Sequence, residues 1–118
     1  MFVRLLAVVV VWTILPVSPI RAAEVMVASW YDCCNPETAN NIPFDKNNPH
    51  IAAHKTLPFG TELLLRRRNM RVCVEIQDRG PFVEGRDLDL TEAGAIALGF
   101  KKDGIATLGV VVTDCLKD

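Results

Sequence analysis

The residues Val72-Cys73-Val74-Glu75-Ile76-Gln77-Asp78-Arg79-Gly80-Pro81-Phe82 run from an alternating stretch straight into a charged loop bearing glycine and proline. Val72, Val74 and Ile76 recur at every second position, which places them on the core face of a half-buried strand. Asp78 is next in that series. A carboxylate that continues an apolar row where the strand ends is expected at the rim of the core, where partial desolvation raises its pKa toward the range in which it donates a proton. Gly80-Pro81 stops the strand, because proline has no amide hydrogen for a ladder and restricts the residue before it. Two readings of Asp78 stand side by side: a general acid, or a loop carboxylate accepting bonds from nearby backbone amides.

Working outward, residues 61–67 read as a neighbouring strand carrying Leu63, Leu64 and Leu65, joined to the first through Arg66-Arg67-Arg68-Asn69-Met70-Arg71. These arginines form either a grip for an acidic polymer or a solvated hairpin tip. His50-Ile51-Ala52-Ala53-His54 is a short apolar run, and Leu57-Pro58-Phe59-Gly60 a turn with proline second and glycine fourth. His54, beside small alanines, is read either as lying close to a ligand or as a packed histidine bonded to a carbonyl. Upstream, residues 24–31 alternate as a strand ending on Trp30 and Tyr31, which point to opposite faces, so one of them remains near the surface. Residues 32–49 have loop chemistry, with Phe44 the one large apolar side chain to tuck the loop onto the body.

Downstream, residues 86–90 alternate briefly, and Asp89 between two leucines is read as an acceptor for loop or helix-start amides. Thr91 is the expected N-cap of the one convincing helix, 92–98, with Gly99 as its stop. Gly94 weakens that helix, so packing of Ile96, Ala97 and Leu98 is expected to hold it. Residues 104–114 form a last strand with Ala106, Leu108, Val110 and Val112 on one face. Five or six short strands and one short helix favour a small closed barrel, which leaves no long edge to protect.

Residues 1–23 read as a secretory signal peptide: a basic start at Arg4, an apolar run from Leu5 to Val17, and small residues Ala22-Ala23 for cleavage. The remainder, 24–118, is long enough for one small domain. The whole chain has 13 basic and 14 acidic residues; without Arg4 and Arg21 it is formally −3, which argues against nucleic acid as a partner. Cys33, Cys34, Cys73 and Cys115 in an exported domain imply two disulfides. The pairing expected is Cys33 and Cys34 each with Cys73 or Cys115, since a bridge between sequence neighbours is strained. A zinc site from these cysteines with His50 and His54 lacks any paired Cys-x-x-Cys spacing, so no metal or cofactor is expected.

Ala28-Ser29-Trp30-Tyr31, Thr38-Ala39-Asn40, Phe44-Asp45, Ala52-Ala53-His54-Lys55-Thr56-Leu57-Pro58-Phe59-Gly60-Thr61, Asp78-Arg79-Gly80-Pro81-Phe82, Gly85-Arg86, Asp89-Leu90 and Leu98-Gly99 occur in that order. With this spacing the chain resembles the rare lipoprotein A family, endolytic peptidoglycan transglycosylases built on a double-psi β-barrel. The resemblance implies a mainly β, six-stranded double-psi barrel with one short helix. It also implies a lytic transglycosylase that cleaves the bond between N-acetylmuramic acid and N-acetylglucosamine to 1,6-anhydro products. Asp78 matches the family's acidic residue, the acid/base, and His54 a histidine of the same site. Trp30, Tyr31 and Phe82 then offer stacking surface to a glycan strand and Arg79 a donor fork, though Arg79 equally suits bracing its own loop. Where active members commonly carry Gly-Glu, this chain has Asn41-Ile42, so a noncatalytic module that binds cell-wall glycan is the alternative; Glu37 and Asp45 are carboxylates of the same loop. The extra cysteines are similar to those of secreted relatives such as barwin and the expansins. Peptidoglycan glycan strands are the expected partner of an exported, periplasmic or secreted monomer, with no stable membrane anchor after signal cleavage.

Overall fold

The computed structural model describes residues 24–31 and 38–117. The signal-peptide reading of 1–23, and Cys33, Cys34 and Glu37, lie outside the described residues. Six strands, β1 (Glu24–Trp30), β2 (Ile51–His54), β3 (Glu62–Arg67), β4 (Met70–Asp78), β5 (Leu88–Leu90) and β6 (Ile105–Val112), close into a barrel in the order β1-β5-β2-β4-β3-β6. β1 with β5 and β2 with β4 are parallel pairs, and the remaining pairings are antiparallel. This is the expected double-psi β-barrel with one short helix, α1 (Glu92–Ala97). No helix among the described residues is long and apolar enough to cross a membrane.

The period-2 rows read from sequence are the rows that fill the barrel. Val72, Val74 and Ile76 of β4 point inward beside Leu63 and Leu65, Leu88 and Leu90, and Leu108 and Val110, all buried. Ala106 and Val112 pack against this cluster from its margin. Phe100, just beyond the helix, is the largest fully buried side chain and was not anticipated.

The helix packs by a different face from the one expected. Gly94, Ala95 and Leu98 are buried, whereas Ile96 is 56% exposed and Ala97 also faces solvent. A helical period that starts at the buried cap Thr91 brings 94, 95 and 98 inward, and this face has to lie very close to β5. A Cβ on Gly94 would come within 3.3 Å of the Leu90 Cβ and 3.5 Å of the Pro49 carbonyl oxygen. Glycine therefore suits a close approach that a methyl group would crowd. Thr91 Oγ1 accepts from the Gly94 amide (3.0 Å) and donates to the Asn48 carbonyl (2.7 Å), tying the helix start to the preceding loop. Thr91→Ala is expected to cost about 1–2 kcal/mol, read as a lowered midpoint in urea unfolding, because a buried amide and a part-buried carbonyl lose their partner.

The disulfide expectation is corrected. Cys73 pairs with Cys115, Cα atoms 5.8 Å apart, so neither bonds to Cys33 or Cys34. The reason lies in the path of the tail. After β6 the Thr113 amide bonds the Glu62 carbonyl (3.2 Å) and the Leu116 amide bonds Glu62 Oε1 (2.6 Å), which leads the chain past the start of β3 to the outward side of β4.

Candidate active site

A single row of side chains crosses four strands. Ser29 on β1 is level with Asp89 on β5, Asp89 with Ala53 on β2, and Ala53 with Asp78 on β4. All four line one cavity of about 310 Å³, close to the lower end of the ~300–1,000 Å³ range of small-ligand sites. The two carboxylates stand on either side of an alanine. Strands lie ~4.8 Å apart, so their Cα atoms are separated by roughly 10 Å.

What places Asp78 in this row is a register shift. Ala52 pairs with Ile76, but Ala53 pairs with Asp78, so β4 carries one extra residue at Gln77. A bulge of this kind re-aims the following side chain. Asp78 therefore leaves the apolar row that Val72, Val74 and Ile76 define and shares the cavity with Ala53 and Asp89. Its oxygens accept from the Tyr31 hydroxyl (3.1 Å), the Ala39 amide (2.8 Å) and the Arg79 amide (2.9 Å). The backbone-amide reading of Asp78 is thus realised together with its position in the cavity.

Asp89 sits differently. Leu88 and Leu90 turn into the core, so the residue between them must face the other way, into the cavity. Its carboxylate accepts from the Ser29 hydroxyl. Burial pushes its pKa above the ordinary carboxylate value, with the Asp78 charge adding to that, against the Ser29 bond and the Arg86 charge. Of the loop or helix-start amides it was expected to accept from, it bonds neither among the described residues; Thr91 caps the helix start. Asp87, the other nearby carboxylate, is spent on the Val27 amide at 2.9 Å.

Trp30, Tyr31, Arg79 and Phe82 all reach the same cavity. Trp30 is half-buried, and its indole N–H donates to the Lys101 carbonyl (3.0 Å). Tyr31 lies against Phe44, ring centroids 5.0 Å apart, so Phe44 does hold its loop onto the body. Phe82 is 83% exposed at the mouth. Its loop turns at Gly80, whose φ of +128° is a backbone region L side chains rarely adopt. Arg79 braces that loop: Nη1 donates to the carbonyls of His54 (3.2 Å) and Leu57 (2.8 Å), and the guanidinium stacks 3.9 Å over the Phe59 ring. Arg86, which has no expected role, lines the cavity and forms no ion pair among the described residues.

His54 is beside the cavity and not in its lining, where Ala53 stands instead. Its Nδ1 accepts from the amides of Thr56 (3.1 Å) and Leu57 (3.0 Å), so the neutral ring carries its proton on Nε2. Burial lowers its pKa below 6.5, opposed by Asp87 and assisted by Arg79. A depressed histidine pKa means that the unfolded chain binds the proton more tightly. Stability is therefore expected to be fully present above pH 6.5 and to decline as pH falls through the folded-state value. Thermal melts of wild type and His54→Ala at pH 7.5 and 5.5 check this: the substitution should remove the histidine's part of the acid-side loss.

Ile42 occupies the place where active members of the resembled family commonly carry glutamate. It is exposed, outside the cavity lining, and its carbonyl accepts from the Thr38 amide (2.9 Å) and hydroxyl (3.1 Å). Asn41 before it has φ +61°, a conformation that glycine or asparagine adopts readily. Ile42 brings no carboxylate to this turn. Glu62, Cys73 and Cys115 lie close together, but the two sulfurs are joined to each other.

A family model described as lytic transglycolase matches residues 23–110. Among curated proteins, the chain is 40% identical over 92 residues to a probable endolytic peptidoglycan transglycosylase RlpA of Aquifex aeolicus, covering 75% of this chain and 40% of that one. It is 38% identical over 101 residues to the protein of that name from Treponema pallidum (79% and 31%). It is 37% identical over 89 residues to the endolytic peptidoglycan transglycosylase RlpA of Helicobacter pylori (73% and 28%). The chain thus spans well under half the length of these relatives. Of solved structures, the Streptomyces papain inhibitor superposes with a TM-score of 0.62 at 18% identity, over 79% of this chain and 97% of that one. The expansin of Clavibacter michiganensis does so with 0.63 at 21%, over 79% and 51%. These two share the barrel. The extent of the family match and the level of identity place the chain in the lytic transglycolase family of double-psi β-barrels.

Proposed function

We propose that this chain is an exported lytic transglycosylase that cleaves the glycan strands of peptidoglycan between N-acetylmuramic acid and N-acetylglucosamine, leaving 1,6-anhydro ends. The observation that carries this reading is the pair of carboxylates, Asp78 and Asp89, bracketing Ala53 in one cavity. The alanine methyl leaves the space between them for a glycosidic bridge. The relatives' names supply the polymer.

In this reading the sequence-based assignment of the proton to Asp78 passes to Asp89. Its raised pKa keeps a share of it protonated as a general acid. Asp89 gives its proton to the bridging oxygen as the bond to the anomeric carbon breaks. The muramic acid C6 hydroxyl closes on that carbon, and its proton returns to Asp89. No water is consumed, so the carboxyl-separation rules for hydrolases do not govern the pair. Asp78, held by three donors, places a negative charge beside the cationic sugar. Arg86 and the exposed Phe82 meet the strand at the mouth, and neutral His54 fixes the turn that carries Arg79's anchor points.

Digestion of peptide-free glycan strands, followed by mass spectrometry, tests the proposal. Anhydro-ended fragments from wild type, forming at least about a hundredfold more slowly with Asp89→Asn, support it. The second reading, a noncatalytic glycan-binding module, draws on the uncharged Ile42; retention on insoluble cell wall with no fragments from wild type would favour it.

A further inference from the structure

On the outward face of the barrel two arginines stand opposite each other. Arg66 on β3 and Arg71 on β4 are direct cross-strand partners, and both are exposed. Like charges so placed repel. Among the described residues neither has a carboxylate within ion-pair reach; the pair formed there is Lys101 with Glu92. Arg67, between them in sequence, is different, since its Nη1 donates to the carbonyls of Leu98 (3.0 Å) and Gly99 (3.2 Å).

The third strand leaves a gap beside this pair. Arg66 is level with Gly109 on β6, and the missing side chain opens a depression of about 240 Å³ lined by Leu64, Val111 and the two arginines. A Cβ at Gly109 would already be 3.9 Å from the Arg66 Cβ, so a larger side chain would fill the trough. The depression is remote from the carboxylate row. Arg71 and Asp78 are seven residues apart on β4, about 23 Å of extended strand.

We propose that this depression is a second, noncatalytic contact for the peptide branches of the wall polymer. The Arg66–Arg71 pair takes a terminal carboxylate, and the Leu64–Val111 floor takes the small aliphatic residue that bears it. Charge complementarity is the first reason: guanidinium forks bond a carboxylate in a bidentate manner, and two unneutralised forks side by side call for a planar anion. The apolar floor is the second, because a bare, hydrated anion gains nothing from it. Size is the third, since the volume falls below the ~300–1,000 Å³ of whole-ligand pockets and suits the end of a chain. The identity of the polymer rests on the proposed function; the site's chemistry does not.

An NMR titration of the full chain with a synthetic wall peptide ending in D-alanine, with its C-terminal amide, and with inorganic phosphate tests the proposal. The acid is expected to shift the amide signals of Leu64, Arg66, Arg71, Gly109 and Val111, and the C-terminal amide to bind at least about tenfold more weakly. The double substitution Arg66→Gln with Arg71→Gln, and separately Gly109→Leu, should abolish binding while peptide-free glycan is cleaved at the wild-type rate. Equal binding of acid and amide, binding that survives both variants, or phosphate that competes as well as the peptide would overturn it. If wild type cleaves no glycan but binds the acid at this face, the proposed function fails and this site stands.

Discussion

Asp89→Asn is expected to lower the rate of glycan cleavage by about 10²–10⁴-fold, the contribution of a positioned proton donor. Asparagine keeps the size of the side chain, and its amide can still bond Ser29, but it cannot pass a proton to the bridging oxygen and take one back. Strand binding should change little, because Phe82, Arg86 and Trp30 are untouched. A fall in kcat with KM nearly constant is the signature of a group needed for the chemical step. The wild-type rate should also decline as pH rises through the elevated Asp89 pKa, since only the protonated form donates. Stability moves with the same group. A carboxyl whose folded-state pKa is raised contributes stability that is present below the unfolded value and is lost as pH rises through the folded one. At neutral pH Asp89→Asn should therefore fold at least as stably as wild type while losing activity, an outcome that simple damage to the fold would not produce. Steady-state rates and thermal melts at pH 5 and 7.5 measure both.

Removing the disulfide is expected to have the largest effect on stability. Cys73 and Cys115 are 42 residues apart, and closing a loop of that length in the unfolded chain corresponds to about 4 kcal/mol in the chain-entropy model. Cys73→Ser with Cys115→Ser should thus lower ΔG of unfolding by about 2–4 kcal/mol, and the melting temperature by roughly 4–8 °C per kcal/mol in a domain of this size. The bridge fastens the tail beyond β6, whose other anchors are the bonds of Thr113 and Leu116 to Glu62. Asp78 shares β4 with Cys73 but lies at its far end, five residues on, and the rest of the row is on β1, β2 and β5, so protein assayed well below its new melting temperature should retain wild-type kcat. Urea unfolding of the double variant beside wild type, with and without reductant, gives the number.

The barrel was legible because alternation is a direct consequence of strand geometry. Val72, Val74, Ile76, Leu108 and Val110 repeat every second residue, and the structure buries each of them. The site was legible less completely, and the reason is a single inserted residue. Asp78 looks like the next member of an inward row until the register shift at Gln77 turns it onto the face of Ala53, and no local sequence feature marks that shift. Asp89 was open to the same two-residue logic: with Leu88 and Leu90 inward, its carboxylate has to face away from the core. The flanking leucines and the following helix drew attention to a capping role that Thr91 performs. Arg79 and Arg86 could not be told apart from sequence, since which guanidinium is consumed by carbonyls depends on how the 79–86 loop folds back over residues 54–57. The cysteine pairing failed for a similar reason. Avoiding a strained bridge between neighbours is sound chemistry, but the path of the tail past Glu62 decides which sulfurs meet.

The measurement that bears most directly on the mechanism is cleavage of peptide-free glycan strands in water enriched in oxygen-18. With Asp89 shuttling one proton and the C6 hydroxyl as nucleophile, every new muramic acid end should be a 1,6-anhydro sugar carrying no label, and every new N-acetylglucosamine end should keep the unlabelled bridging oxygen. Reducing ends that contain oxygen-18 would show that water is the nucleophile and contradict the account.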